Sequence, residues 1–405
     1  MVARTGHGIR GRRLVLTLTS VLLALGLGYA VLADAMANIM SRTAPGLALS
    51  WRPGHVRSLE SQAALDLEQS PAEVDTLAHR ALARDLSFAG PVRILGLSTG
   101  LHKDQSAATA LLAAAEQLSR RDLPTQLYFI EAAVTRGNVE GALRHFDIAM
   151  RTSKPGRDIL APVLCQAMRD PGLTVPIARL LQSAPEWTNA FVSYCVDQPD
   201  SRPALARILT LAPAARAASP HVVLAKAVQL VAEAGDVSTA HRLYAAVLKD
   251  DDRMIGKPVS NPLFDDMAPL PPFDWNYVLG ADLGADPEGK GISIHANGQT
   301  GVVASQLLMA KPGRYRLHVV GRDVAGGRVA VTLDCASGHG SLSAVTLPAD
   351  AHARQVSADV TIQAGCPMQW LRIGAESHEG ETMTARVERV DLIPVAAIPD
   401  QAIRR

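Results

Sequence analysis

From about Gln62 to Asp250, Ala and Leu recur at i, i+3, i+4 spacing between short Gly, Pro and Asp breaks, a pattern that predicts stacked amphipathic helices. Beyond Pro258 the period changes. Runs such as Tyr315-Arg316-Leu317-His318-Val319-Val320 and Arg328-Val329-Ala330-Val331-Thr332-Leu333 alternate between apolar and polar positions, and Gly and Pro turns separate them, so this half predicts β-strands. Ahead of both lies an uncharged stretch, Leu14 to Ala33. At 1.5 Å rise its roughly 20 residues span about 30 Å, a bilayer's hydrocarbon thickness. The fold class expected is therefore multi-domain α plus β: a transmembrane helix, an α-helical repeat solenoid and an antiparallel β-sandwich. The expected bounds are 1–13 for a cytoplasmic N-terminus, 14–33 for a signal-anchor, 34–61 for a linker, 62–250 for the helical repeats, 251–260 for a second linker, 261–396 for the sandwich and 397–405 for a tail. The charged run from Lys249 to Arg253 followed by prolines puts the joint near Gly256.

Charge sets the orientation of the anchor. Arg4, Arg10, Arg12 and Arg13 precede the apolar stretch, and the positive-inside rule keeps them in the cytoplasm and sends everything after Asp34 across the membrane. A cleaved signal peptide is the alternative, because Ala33-Asp34-Ala35 and Ala35-Met36-Ala37 both have the small-residue spacing of a cleavage site. Either way the body lies in an oxidising compartment, where Cys165, Cys195, Cys335 and Cys366 can pair. The simplest of three connectivities joins Cys165 to Cys195 and Cys335 to Cys366 within their domains; four buried free thiols are the alternative.

The helical half contains an internal repeat. Gly137-Asn138-Val139-Glu140-Gly141-Ala142 leads into Leu143, Phe146 and Ala149, with Pro155 closing the unit, and Gly235-Asp236-Val237-Ser238-Thr239-Ala240 leads into Leu243, Tyr244 and Val247. A looser copy has Gly100, then Ala108, Leu112 and Ala115. These residues resemble the tetratricopeptide repeat, in which a glycine turn precedes a helix carrying small, aromatic and small residues at these offsets. More narrowly, the run from Ala115 to Asp122, then Gln126 to Glu131, Gly141-Ala142-Leu143 with Phe146-Asp147, and Pro185-Glu186-Trp187 with Phe191 look like a group of membrane-anchored repeat proteins of alphaproteobacteria. That resemblance implies an inner-membrane, single-pass protein with a periplasmic body, a protein partner for the repeats and a role in envelope or exopolysaccharide assembly.

In the β half, Asn261-Pro262-Leu263-Phe264-Asp265, Pro272-Phe273-Asp274-Trp275 and Pro312-Gly313-Arg314-Tyr315 look like the jelly-roll carbohydrate-binding modules, with Pro262 where glycine is usual and Asp265 in place of a glutamate. The resemblance implies a possible polysaccharide ligand. Sugar binding needs an aromatic face for a pyranose ring to stack on, with polar neighbours for its hydroxyls. The candidates are Trp275, Tyr277 and Trp370, with Arg372, because alternation puts Trp370 and Arg372 on one face and Leu371 and Ile373 on the other.

The remaining chemistry is sparse. With 40 basic and 39 acidic side chains spread along the 405 residues, no basic stripe marks a nucleic-acid partner. Cysteine and histidine spacings fit no metal site, and no cofactor is expected. Gly96-Leu97-Ser98-Thr99-Gly100 spells a nucleophile elbow but sits among helical repeats, where a repeat turn is expected. Gly284 to Gly291 nearly spells a phosphate loop, yet Asp286 and Glu288 repel phosphate and Gly291 replaces the hydroxyl, so a strand connection is expected. With Asp282 those acids are alternatively ligands for a structural calcium. Asp265 and Asp266 are adjacent and so point to opposite faces of a strand, unlike a glycosidase pair. The expectation is a non-enzymatic scaffold or adaptor, with a carbohydrate-binding protein as its alternative.

Overall fold

The computed structural model describes residues 6–101, 104–250, 257–265, 268–338, 340–347, 354–378 and 381–395. Asp266, the expected joint at Gly256 and the expected tail 397–405 lie outside the described residues. Among the described residues fifteen α-helices precede ten strands, and the chain divides into two compact units, Met1–Asp158 and Ile159–Arg405.

The first unit holds α1 (Gly6–Met40), α2 (Pro45–Trp51), α3 (Val56–Leu65), α4 (Pro71–Leu82), α5 (Ala89–Leu101), α6 (Gln105–Leu118), α7 (Leu123–Thr135) and α8 (Val139–Thr152), and the division falls within α9 (Lys154–Ala167). Thr17–Met40 is long and apolar enough to cross a membrane. The segment 34–61 is helical rather than a linker. α1 runs on to Met40, burying Ala33, Ala37 and Ser41, and Asp34 pairs with Arg52. Its small residues let α2 and α3 approach closely, and that packing decides the local structure where propensity is weak.

Consecutive helices pair as hairpins, α3 with α4, α5 with α6 and α7 with α8. The sequence punctuation caps them: the side chains of Asp104, Asp122 and Asn138 accept hydrogen bonds from Ala107, Thr125 and Gly141 N–H, each worth about 1 kcal/mol. Gly137 turns the chain into α8 at φ +66°, a conformation that favours glycine. On α8, Ala142, Phe146 and Ala149 are buried. The Gly96 to Gly100 stretch is helix rather than turn. It forms the end of α5, where a Cβ on Gly96 would lie 2.8 Å from Leu112 Cγ, so the glycine serves close packing of α5 on α6.

The second unit continues with α10 (Thr174–Leu181), α11 (Thr188–Val196), α12 (Arg202–Leu211), α13 (Pro213–Ala218), α14 (His221–Glu233) and α15 (Val237–Asp250). A disulfide joins Cys165 and Cys195 with Cα atoms 5.8 Å apart. Ten strands follow: β1 (Asn276–Tyr277), β2 (Leu283–Pro287), β3 (Ile292–Asn297), β4 (Thr300–Leu308), β5 (Gly313–Ala325), β6 (Gly327–Cys335), β7 (Ser341–Leu347), β8 (Arg354–Ile362), β9 (Gln369–Ser377) and β10 (Thr382–Pro394). They form two five-stranded antiparallel sheets, ordered β1-β4-β9-β6-β7 and β2-β3-β10-β5-β8, whose inner faces enclose one apolar core.

The helix-to-strand joint is internal to this unit because residues 257–275 are bonded to both sides. The Asp274 carboxylate is 1% exposed and accepts hydrogen bonds from Tyr244 OH on α15 (2.8 Å), from Leu270 N–H (2.9 Å) and from Ser260 OH. Gln306 on β4 in turn exchanges two hydrogen bonds with the Ser260 backbone. The rings of His241, Tyr244 and Phe273 stack within 5.1–5.9 Å.

Candidate functional site

The β1-β4-β9-β6-β7 sheet has a solvent-facing side, and its register fixes what stands there. The pairings align Leu307, Trp370 and Asp334 in one row across β4, β9 and β6, and Asn276, Ser305, Arg372 and Thr332 in the next. Gly374 with Ala330 and Glu376 with Arg328 follow. At about 6.8 Å per two residues the face extends about 20 Å from Trp370 to Glu376.

Trp370 is half-buried, and the Arg372 guanidinium carbon lies 5.4 Å from its ring centroid, within cation–π range. Arg372 Nη1 is 2.9 Å from Asp334 Oδ2, and Thr332 OH donates to the same oxygen at 3.2 Å. Farther along, Arg328 Nη2 is 2.7 Å from Glu376 Oε2. The charges thus cancel in pairs, while Gly374 and Ala330 leave a low floor between them. Beside Trp370 a cavity of about 270 Å³ opens, lined by Asn276, Ser305, Leu307, Pro272, Met368 and Ala336 and, from the helices, by Gln229, Glu233 and Val237. The Cys335–Cys366 disulfide, with Cα atoms 5.6 Å apart, closes the turn next to Ala336 and Met368. An aromatic ring with paired charges and amides around it can stack a sugar ring and hydrogen-bond its hydroxyls.

Of the aromatics singled out in the sequence, only Trp370 stands on this face, together with Arg372. Trp275 is 1% exposed, donates its indole N–H to Asn261 O at 3.1 Å and lies 5.0 Å from the Phe264 ring. Its ring is enclosed in the core and offers no stacking face, which corrects its place among the platform candidates. Tyr277 shares the inward-facing row of Ala304 and packs against that core, so it too stands away from the platform. Asp334, Asn276 and Ser305 were not singled out, although the alternation of Arg328, Ala330 and Thr332 points to Asp334 next on the same face. Gln229 and Glu233 carry no such signal.

The other motifs have structural roles. Ser98 is buried inside α5. The near phosphate loop is the β2–β3 hairpin, where Gly289 and Gly291 take φ of +62° and +120°. Its Glu288 accepts hydrogen bonds from Ser293 and Arg386, which hold its carboxyl below the usual range. Among the described residues no group of three or more His, Cys, Asp or Glu side chains converges as metal ligands. A second cavity, of about 500 Å³, lies between α15 and the strands, with His241, Tyr244, Phe273 and Tyr315 in its wall; burial lowers the His241 imidazole below its ordinary value.

No protein-family model and no curated protein matches the chain. Among solved structures, the C-terminal sandwich resembles TmCBM61 in complex with β-1,4-galactotriose (12% identity, 35% of this chain and 100% of that one, TM-score 0.27). It also resembles the N-terminal cellulose-binding domain of Cellulomonas fimi β-1,4-glucanase C (18% identity, 35% and 100% covered, TM-score 0.26). A third similarity is to the CBM22-1 xylan-binding domain of Paenibacillus barcinonensis Xyn10C (12% identity, 35% and 99% covered, TM-score 0.26). At such identities and scores these likenesses do not bear on what this chain binds.

Proposed function

We propose that this chain is a non-catalytic, membrane-anchored extracytoplasmic protein whose sandwich binds polysaccharide. The observation that carries the reading is the Trp370 face: a half-exposed indole flanked by the polar side chains of Arg372, Asp334, Asn276 and Ser305. Two disulfides support an oxidising compartment, and the apolar N-terminal helix supports delivery across a membrane.

The test is binding of full-length, detergent-solubilised protein to a glycan array and to whole exopolysaccharide, with Trp370→Ala and Arg372→Ala beside the wild type. Binding that is lost in Trp370→Ala while the fold is retained supports the reading. Equal binding by that variant, or no binding by the wild type, refutes it.

A second reading belongs to the helical half. Within the first unit, successive hairpins pack mainly on their sequence neighbours, an arrangement suited to a protein partner and to the scaffold role in envelope or exopolysaccharide assembly. Pull-down from envelope extracts with a protein lacking the sandwich face, Trp370→Ala with Arg372→Ala, separates the two. A partner retained by that variant assigns partner binding to the helices.

A further inference from the structure

We infer that the helical half completes the sugar site: the α14–α15 turn walls off one end of the Trp370 face, so the cavity there receives the terminal, uncharged unit of a glycan chain. This rests on the carbohydrate reading of the Trp370 face.

The cavity has two sides of different origin. Trp370, Asn276, Ser305 and Leu307 come from the sheet, whereas Gln229 and Glu233 come from the last turn of α14 and Val237 from the first turn of α15, with Pro271 and Pro272 between them. Its volume of about 270 Å³ falls just below the range usual for drug-sized ligands, about 300–1,000 Å³, and suits one sugar ring rather than several. Away from the cavity the face is a track. It runs past Arg372–Asp334, over the low Gly374 and Ala330 floor, to the exposed Arg328–Glu376 pair. A chain lying along β9 therefore has room at one end and meets helix at the other.

The polar groups at the closed end define the ligand. Gln229 donates an amide hydrogen to Glu233 Oε1 at 2.8 Å, which orients the carboxylate and leaves its other oxygen to accept from a hydroxyl. Asn276 and Ser305 add an amide and a hydroxyl, and no lysine or arginine lines the cavity among the described residues. A uronate carboxylate there would face Glu233, while the neighbouring cation, Arg372, is already paired with Asp334, so a neutral sugar with free hydroxyls fits and an acidic terminal unit does not.

The experiment uses full-length protein in detergent against a panel of soluble neutral glycans, each intact and after partial hydrolysis, with uronate-terminated glycans beside them, all at equal mass. Binding capacity per gram is expected to rise in proportion to the number of chain ends. Glu233→Ala and Gln229→Ala, both surface changes, are expected to weaken binding about 10- to 100-fold, the loss that goes with a hydrogen bond to a charged group. Capacity that follows mass, together with unchanged affinity in Glu233→Ala, overturns the end-pocket while leaving Trp370-dependent binding standing. Stronger capture of uronate-terminated chains overturns it as well. Wild-type protein that binds no glycan sinks the carbohydrate reading itself.

Discussion

Replacing Arg93 with methionine should loosen three hairpins at once. Arg93, on α5, is only 6% exposed, pairs with Glu60 on α3, and places its Nε 2.9 Å from Asp122 Oδ2, the carboxylate that caps α7. Methionine keeps most of the side-chain volume but takes from two enclosed acids the cation that pairs with both, leaving only the Arg42 charge near Glu60. Breaking one partner out of such a buried pair costs about 3–5 kcal/mol, because the remaining charge stays desolvated. At 1.4 kcal/mol per decade this corresponds to opening events about 100- to 4,000-fold more frequent. Hydrogen-exchange mass spectrometry of the full-length protein reads it directly in peptides from α3, α5 and α7. The defect should shrink at low pH. Burial, the dominant influence, already holds the Glu60 carboxyl above its ordinary value despite the opposing Arg93 charge. A carboxyl whose folded pKa is raised takes up its proton more readily when folded, so its contribution to stability is present below the unfolded pKa and is lost as pH rises through the folded one. In Arg93→Met the shift grows, and the difference from wild type should be larger at pH 8 than at pH 5. A change in exchange below about tenfold, or a defect that does not depend on pH, would refute the buried-cation reasoning.

Tyr244→Phe removes one hydrogen bond to the enclosed Asp274 carboxylate and should cost about 1.5–3 kcal/mol in urea unfolding followed by near-ultraviolet circular dichroism. Cys335→Ser with Cys366→Ser opens a loop of sequence separation 31 and should lower stability by about 3–4 kcal/mol, read by calorimetry against the oxidised wild type. His145 Nδ1–H donates to Gln126 Oε1 at 2.8 Å and the ring stacks on Phe129, and burial lowers its imidazole below the ordinary value. With the folded pKa depressed, its contribution is present above the unfolded value and is lost as pH falls toward the folded one, so His145→Gln should flatten the acid limb of stability in the first unit. An NMR titration midpoint for His145 at or above the unfolded value would contradict this.

The two strand runs singled out in the sequence lie inside β5 and β6, because alternation reports a half-buried strand directly. The same alternation separated Trp370 and Arg372 from Leu371 and Ile373. It said nothing about Trp275, whose neighbours form no regular strand and whose burial depends on Phe264, eleven residues back. The glycine turns and the buried positions of α8 and α15 were legible, since each motif is local. Helices α2 and α3 were not, because Pro45, Pro53 and Gly54 interrupt short apolar stretches that become helical only by packing on α1. The bolt from Tyr244 to Asp274 and the helical wall of the Trp370 cavity pair residues 30 to 140 positions apart, and side chains chosen for such meetings leave no periodic trace.

Continuity of α1 has a mechanical consequence. Where the apolar helix stays in a bilayer, no flexible leash separates it from the first unit, since the same helix carries on into the packed residues Ala33, Ala37 and Ser41. Such a body moves like a flag on a rigid staff. Its height above the lipid surface is nearly constant, the tilt of the span sets its attitude, and spinning about the membrane normal is its principal freedom. An inserted glycine or proline near Asp34 would loosen that coupling between the span and the first unit without touching a single ligand contact.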